Sequence, residues 1–240
     1  MRFGAAIPVM NEWRFMPTVV GQLLKVVDRV VILRSNMPMS GGGPVKLHPV
    51  PCAFDPRVEV LYGSWKTEHE TRNAGMDVLS NCQFVFHVDS DEIFSEYSLR
   101  MLQSVCNEKG PQAIACRLYT YWKTTEFRID PPEQLIAPVV IRCDKRFENR
   151  RLFKGEQLLI NRFLMHHLSY VHTDEEIKEK LRVSDHAAEV VPNWFENVWK
   201  AWDSNYNLEN LHPTNPTVYR RAVRVRNSEL EDILREHGAL

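Results

Sequence analysis

Net charge is what this sequence has least of. Across 240 residues, 30 Lys and Arg against 31 Asp and Glu leave a formal charge of −1. No global field therefore draws the chain to nucleic acid or an anionic membrane, and any such affinity has to come from a local patch. The five cysteines, Cys52, Cys82, Cys106, Cys116 and Cys143, are odd in number, widely spread and without a C-x-x-C pair. That speaks against a disulfide framework or a structural zinc site, and predicts a reducing, cytoplasmic setting, a host's cytoplasm if the chain is viral. No apolar run is long enough to span a bilayer, and the opening MRFGAAIPVMNEW meets Pro, Asn and Glu too soon to read as a signal peptide. Repeats and low-complexity tracts are missing too. No Gly-rich loop carrying Arg or Lys follows the first apolar run, which weighs against a nucleotidyltransferase. What the chain does have is a 44% hydrophobic content, ample for a buried core.

Apolar patterning gives the fold class. Phe3 to Met10 predicts a buried strand ending at Asn11-Glu12, Met16 to Val27 a helix beside it, and Arg29 to Leu33 a β-branched strand covered on both faces. Arg34 to Pro56, with Gly41-Gly42-Gly43 and several prolines, predicts a long loop before a short strand at Val58 to Leu61. A helix at Lys66 to Leu79 and a strand at Phe84 to Val88 follow. Strands alternating with helices imply an α/β fold with a parallel sheet, whose ligands bind beyond the carboxyl ends of the strands. Further on, the pattern predicts a helix at Tyr97 to Glu108, a strand at Ala113 to Tyr121 and a polar, aromatic loop at Trp122 to Pro132. The second half is less regular, with strands at Val139 to Ile141 and Leu158 to Leu164 and helices at Glu175 to Val183 and Trp194 to Trp202. Residues 1–121 and 122–240 read as two parts of one compact unit, the second an irregular α+β part.

The stretch FHVDSDEIF, residues 86–94, sets Asp89, Asp91 and Glu92 at the end of the fourth strand. Like charges this close raise one another's pKa, so the arrangement calls for something positive among them. Asp89 and Asp91, two apart on extended chain, point the same way, and paired carboxylate oxygens are how Mg2+ or Mn2+ is usually held. The plainer reading is a solvated acidic turn whose Glu92 and Glu96 favour the start of the next helix.

Other segments add weight to the metal reading. IPVMNE at 7–12, a helix bearing Glu68-x-x-x-Arg72-Asn73-x-Gly75, and VDSDEIF at 88–94 occur in that order. Together they resemble the nucleotide-sugar half of the family 2-like glycosyltransferases with the GT-A fold and its DxD motif. The resemblance implies a Rossmann-like donor half over 1–121, an acceptor side over 122–240, a UDP-sugar as donor substrate, and Mn2+ or Mg2+. On its terms Pro8, Val9, Asn11 and Glu12 line the floor for base and ribose, and Trp65 walls that pocket. Arg72 faces the diphosphate with Asn73 beside it, Asp89 and Ser90 meet the ribose or sugar, and Asp91 ligates the metal. Arg72 and Asp91 would then carry catalysis by meeting the charge that builds on the leaving diphosphate. Alone, Arg72 would read as an i,i+4 partner of Glu68 on an exposed helix face.

A third metal ligand in such enzymes is commonly a histidine from the second half. His167 in MHHLSY is the first choice, with His166 and His186 as alternatives that could also meet phosphate. An inverting enzyme needs a carboxylate base near the acceptor hydroxyl, and Glu126, Asp130, Glu133, Asp144 and Glu148 are candidates that the sequence does not separate. Two basic tracts, RCDKRFENRRLFK at 142–154 and YRRAVRVR at 219–226, could bind phosphate backbone or could be ordinary solvated edges. Arg220, Arg221 and Arg224 with Trp122 form the candidate acceptor contact. The acceptor this favours is double-stranded, phage-type DNA with a hydroxymethylated base. The alternatives are a saccharide or protein hydroxyl, or a non-catalytic module that binds nucleotide-sugar or nucleic acid.

Overall fold

The computed structural model describes residues 1–9, 13–36, 49–50, 52–184 and 186–239. In chain order its elements are β1 (Phe3–Val9), α1 (Met16–Leu24), β2 (Arg29–Ser35), β3 (Val58–Gly63), α2 (Glu68–Val78), β4 (Phe84–His87), β5 (Glu92–Phe94) and α3 (Glu96–Lys109). They continue with β6 (Ala113–Trp122), β7 (Thr124–Asp130), β8 (Ile136–Arg142), β9 (Phe147–Asn149), β10 (Leu152–Phe153), β11 (Gln157–Tyr170), α4 (Asp174–Val183), β12 (Arg221–Arg224) and α5 (Ser228–Glu236). The large sheet runs β12-β7-β6-β8-β4-β1-β2-β3. β4, β1, β2 and β3 are parallel, and β8 lies antiparallel to both β4 and β6. β11 runs parallel to β6 and pairs antiparallel with β5 near its own end. The fold is thus α/β around a parallel half-sheet, as the patterning predicts.

Strand periodicity assigns the two faces of that half. In β1, Phe3, Ala5, Ile7 and Val9 join a core with α1, α3 and α5, while Ala6 turns to the opposite core with Met76 and Leu79 around α2. β2 divides the same way, Val30 and Ile32 on one side and Val31 and Leu33 on the other. α2 opens on a capping box in which Thr67 accepts from the Glu70 N–H and Glu70 reaches back to Thr67, a device worth about 1 kcal/mol. α3 is capped by Ser95 and ends on Gly110 at φ 55°, where a left-handed residue closes the last turn. α2 lies so close to the sheet that a Cβ on Gly75 would come within 2.8 Å of both Ala6 Cβ and Leu33 Cδ1. That approach fixes Arg72, one turn earlier, over the end of β4.

The structure departs from the sequence reading in several places. The loop predicted for 122–132 is largely β7, whose alternation of Thr124, Glu126 and Arg128 with Phe127 and Ile129 is the period of a half-buried strand. α1 stops at Leu24 rather than Val27, and Trp194–Trp202 holds a π-type helical segment, Phe195–Lys200. β5, β9, β10, β12 and α5 are elements that the patterning does not predict, and β11 extends well beyond Leu158–Leu164. Among the described residues no helix is long and apolar enough to cross a membrane. A third core of aromatic residues, Trp122, Tyr170, Trp194, Trp199, Trp202 and Tyr219, ties β6, β11 and α4 to the segment before β12. Gly75→Val should therefore destabilise the protein by about 1–3 kcal/mol through overpacking. A lower urea midpoint at unchanged m-value checks it.

Candidate active site at the end of β4

The chain turns tightly after β4. The Glu92 N–H donates to Asp89 O at 3.0 Å, and the Asp89 N–H donates to the Glu92 carboxylate at 2.9 Å. Ser90, Asp91 and Glu92 are buried. Arg72 reaches this turn from α2 with its side chain only 2% exposed, held by Glu68 at 2.6 Å and by both Asp89 oxygens at 2.9 and 3.1 Å. The i,i+4 pair with Glu68 is real, yet burial and the second carboxylate take Arg72 beyond a surface pair. Its Nη1 is buried without a hydrogen-bond acceptor.

Arg151, within the basic tract at 142–154, is the second cation here. From the hairpin of β9 and β10 it donates to the Glu92 carboxylate through both terminal nitrogens, one at 2.9 Å, to His87 O at 2.7 Å and to Pro138 O at 3.2 Å. It also stands 3.5 Å from Asp89. Burial alone would lower its pKa, but Glu92 and Asp89 outweigh that and push it up. Only its Arg-rich neighbourhood hints at it in sequence, because its partners are some 60 residues away in the chain.

Asp91 faces the other way. Lys180 of α4 donates to its Oδ2 at 3.2 Å and to Ser169 Oγ at 2.8 Å, and His167 Nε2 lies 3.9 Å from its Oδ1. Behind His167, Nδ1 is 3.4 Å from Thr120 Oγ1 and 3.9 Å from Glu133 Oε1. Thr120 donates to that same Glu133 oxygen, and Tyr219 OH does so at 3.5 Å. Burial disfavours the His167 imidazolium, but Glu133, then Asp91 and Glu92, prevail and raise it to about 9. For Glu133, burial opposes ionisation, while His167 and Thr120 hold the carboxyl below its ordinary range.

The other expected site residues are distributed as follows. Asn11 and Glu12 lie outside the described residues. Pro8 is half-buried and Val9 is in the core, so Val9 offers a ligand its backbone only. The Asn73 amide donates to Phe147 O and accepts from the Phe147 N–H, both at 2.9 Å, and so staples α2 to β9. The Trp65 ring rests on Gly63, where a Cβ would come within 2.5 Å of it. His166, next to His167 on a strand, projects to the opposite face and meets Tyr121 OH at 3.0 Å. His186 is half-buried, with Glu189 at 2.9 Å and Arg150 at 3.1 Å.

Trp122 is fully buried at the centre of the aromatic core, which corrects its expected place at a cleft mouth. Arg220, Arg221 and Arg224 are exposed, but each faces a carboxylate, Glu209 at 3.6 Å, Asp130 at 2.8 Å and Glu126 at 3.7 Å. That pairing cancels the expected basic stripe. Among the base candidates, Asp144 pairs with Arg142 at the surface, Glu148 is exposed, and only Glu133 is buried toward the site. Among the described residues no three His, Cys, Asp or Glu side chains converge as a metal cluster, since Asp89 is turned to the arginines. Asp91 Oδ1 and His167 Nε2 nonetheless lie at a separation that fits two ligands of one small cation, with bonds of about 2.0–2.2 Å each.

Fold and site together define an α/β unit with a cluster of paired charges beyond the carboxyl end of a parallel strand. No family model matches the chain and no curated protein matches it. Among solved structures it is similar to S. aureus TarS 1–349, at 13% identity over 75% of this chain and 63% of that one, with a TM-score of 0.47. The same TarS region bound to UDP-GlcNAc gives 13% identity over 75% and 64%, with a TM-score of 0.45. Glucosyl-3-phosphoglycerate synthase from Mycobacterium tuberculosis, bound to Mn2+, UDP and phosphoglyceric acid, gives 12% over 74% and 73%, also at 0.45. These are distant likenesses, and the chain spans less than two thirds of the length of those TarS chains.

Two outcomes follow from the charges. Arg151→Met should cost about 3–5 kcal/mol, because it strands the Glu92 carboxylate without its buried partner. Urea unfolding measures it. The raised His167 pKa contributes stability in full below the unfolded value of about 6.5 and loses it as pH rises toward 9, by at most about 1.4 kcal/mol per pH unit. Metal-free wild type should therefore lose stability relative to His167→Gln between pH 6.5 and 9, read from paired urea titrations in chelator.

Proposed function

We propose that the chain is a GT-A glycosyltransferase that moves a sugar from a UDP-sugar to a hydroxyl acceptor with the help of a divalent cation. The observation that carries this reading is the meeting of Arg72 and Asp89 at the end of β4, with Asp91 two residues on, three residues that the ordered sequence motifs also single out. Asp91 and His167 would hold the cation, which when bound supplies Lewis-acid stabilisation of the leaving diphosphate.

The chain's own groups do the rest. Arg72 presents a fixed guanidinium whose Nη1 has no acceptor, a donor available to a phosphate oxygen after a small shift of its neighbours. Arg151 holds the acidic turn rigid through Glu92 and Asp89, so that charge developing on the diphosphate meets groups already in place. Glu133 orients His167 from behind and keeps Nε2 toward Asp91. Burial of Asp91 and Arg72 keeps the local dielectric low, which strengthens each of these contacts.

For the acceptor, the carboxylate partners of Arg220, Arg221 and Arg224 and the burial of Trp122 favour a saccharide or protein hydroxyl over modified DNA. A DNA enzyme would bind duplex with a steep salt dependence. Purified protein given UDP-sugars and Mn2+ should release UDP rather than pyrophosphate. Asp91→Ala should lower turnover by about 100-fold or more, and chelator should remove activity that Mn2+ restores. Full activity in chelator would overturn the metal's part, and UDP binding without release with any acceptor would leave a binding module instead.

A further inference from the structure

Lys180 has no part in the mechanism above, yet it sits at the same carboxylate. Its ammonium extends from the last turn of α4 to Asp91 Oδ2 at 3.2 Å and Ser169 Oγ at 2.8 Å, with the Tyr170 ring centroid 5.9 Å away. The Asp91 side chain is 6% exposed and that of Lys180 22%, so the lysine reaches a buried carboxylate from a partly exposed position. On the opposite oxygen of Asp91 stands His167. One carboxylate is therefore shared between an imidazole suited to a metal and a cation that competes with one.

Two physical facts decide what this lysine can do. An ammonium and a divalent cation at one carboxylate in a partly dry crevice repel strongly, so binding of the metal favours withdrawal of the lysine. A lysine head is also a compact charge on a flexible stem, with three donors that reorient, unlike the fork of Arg72.

We infer that Lys180 is an exchangeable cation. It neutralises Asp91 before metal binds, yields that carboxylate to the divalent ion, and turns to the diphosphate of the donor. This rests on the metal-dependent transferase reading above. It follows that Lys180 opposes binding of metal alone and favours binding of diphosphate even without metal. A lysine that only braces α4 would do neither.

The test uses the whole chain and two binding measurements, neither of which needs turnover. Lys180→Met keeps the length of the stem and is a good helix former. Mn2+ alone, followed by electron paramagnetic resonance, should bind this variant about tenfold more tightly than wild type. UDP in EDTA, followed by calorimetry, should bind it about tenfold more weakly, the worth of one charge-assisted contact. Opposite signs cannot come from a loosened fold, which would weaken both. Lys180→Gln should show the same two signs, so the test survives if the Met variant folds poorly. Unchanged or weaker Mn2+ binding in the variants, or unchanged UDP binding in EDTA, overturns the exchange. Asp91→Asn separates the two readings: loss of Mn2+ binding there upholds the metal site whatever Lys180 does. If Asp91→Asn binds Mn2+ as wild type does, the metal site fails and the exchange with it.

Discussion

Three carboxylates packed into one turn, Asp89, Asp91 and Glu92, are the constraint on which the site and much of the fold depend. Left without cations in a largely buried turn, they would repel one another and be costly to bury. Each is instead met by a cation from a different element: Arg72 of α2 on Asp89, Arg151 of the β9–β10 hairpin on Glu92 and Asp89, and Lys180 of α4 on Asp91. The turn therefore ties together parts of the chain that share no sheet ladder. Electrostatics does here what hydrogen-bonded strands do elsewhere in the molecule.

Those cations have to be delivered accurately, and packing does it. α2 comes within a glycine's distance of β1 and β2 at Gly75, and Asn73 staples it to β9. α4 is anchored at its start, where Trp199 Nε1 donates to Asp174 Oδ1 at 2.8 Å, and along its buried side, where Ile177 enters the aromatic core. That core, with Trp122 at its centre, is thus a platform for Lys180 rather than a surface for an acceptor. Its stacked and edge-on rings contribute beyond area alone.

The sequence makes some of this legible and hides the rest for physical reasons. β1, β2 and β4 announce themselves because both faces are covered and their apolar runs are continuous. Arg72, Asp89 and Asp91 stand out because strand end and helix turn put them at short, motif-like spacings. Arg151, Lys180 and Glu133 do not, since nothing local separates a buried ion-paired residue from a solvated one. Trp122 misleads for the same reason: an aromatic residue beside polar ones reads as a loop tip until Trp194, Trp199 and Trp202 close over it. Asn73 misleads differently, being in the right helix but bonded to backbone across from it.

On the transferase reading, the balance of charge around Asp91 favours metal and donor arriving as partners. Glu68, Asp89, Asp91, Glu92 and Glu133 face Arg72, Arg151, Lys180 and, at neutral pH, a protonated His167. Among the described residues that leaves the cluster close to neutral, with little field to draw in a dication by itself. To ligate the ion His167 must also release its proton, which adds to the cost. A diphosphate changes both conditions, because it brings negative charge of its own, meets the free Nη1 of Arg72 and offers Lys180 somewhere else to turn. A near-neutral cluster of this kind favours ligands that come as a neutralised pair, and a nucleotide-sugar with its counter-cation is such a pair.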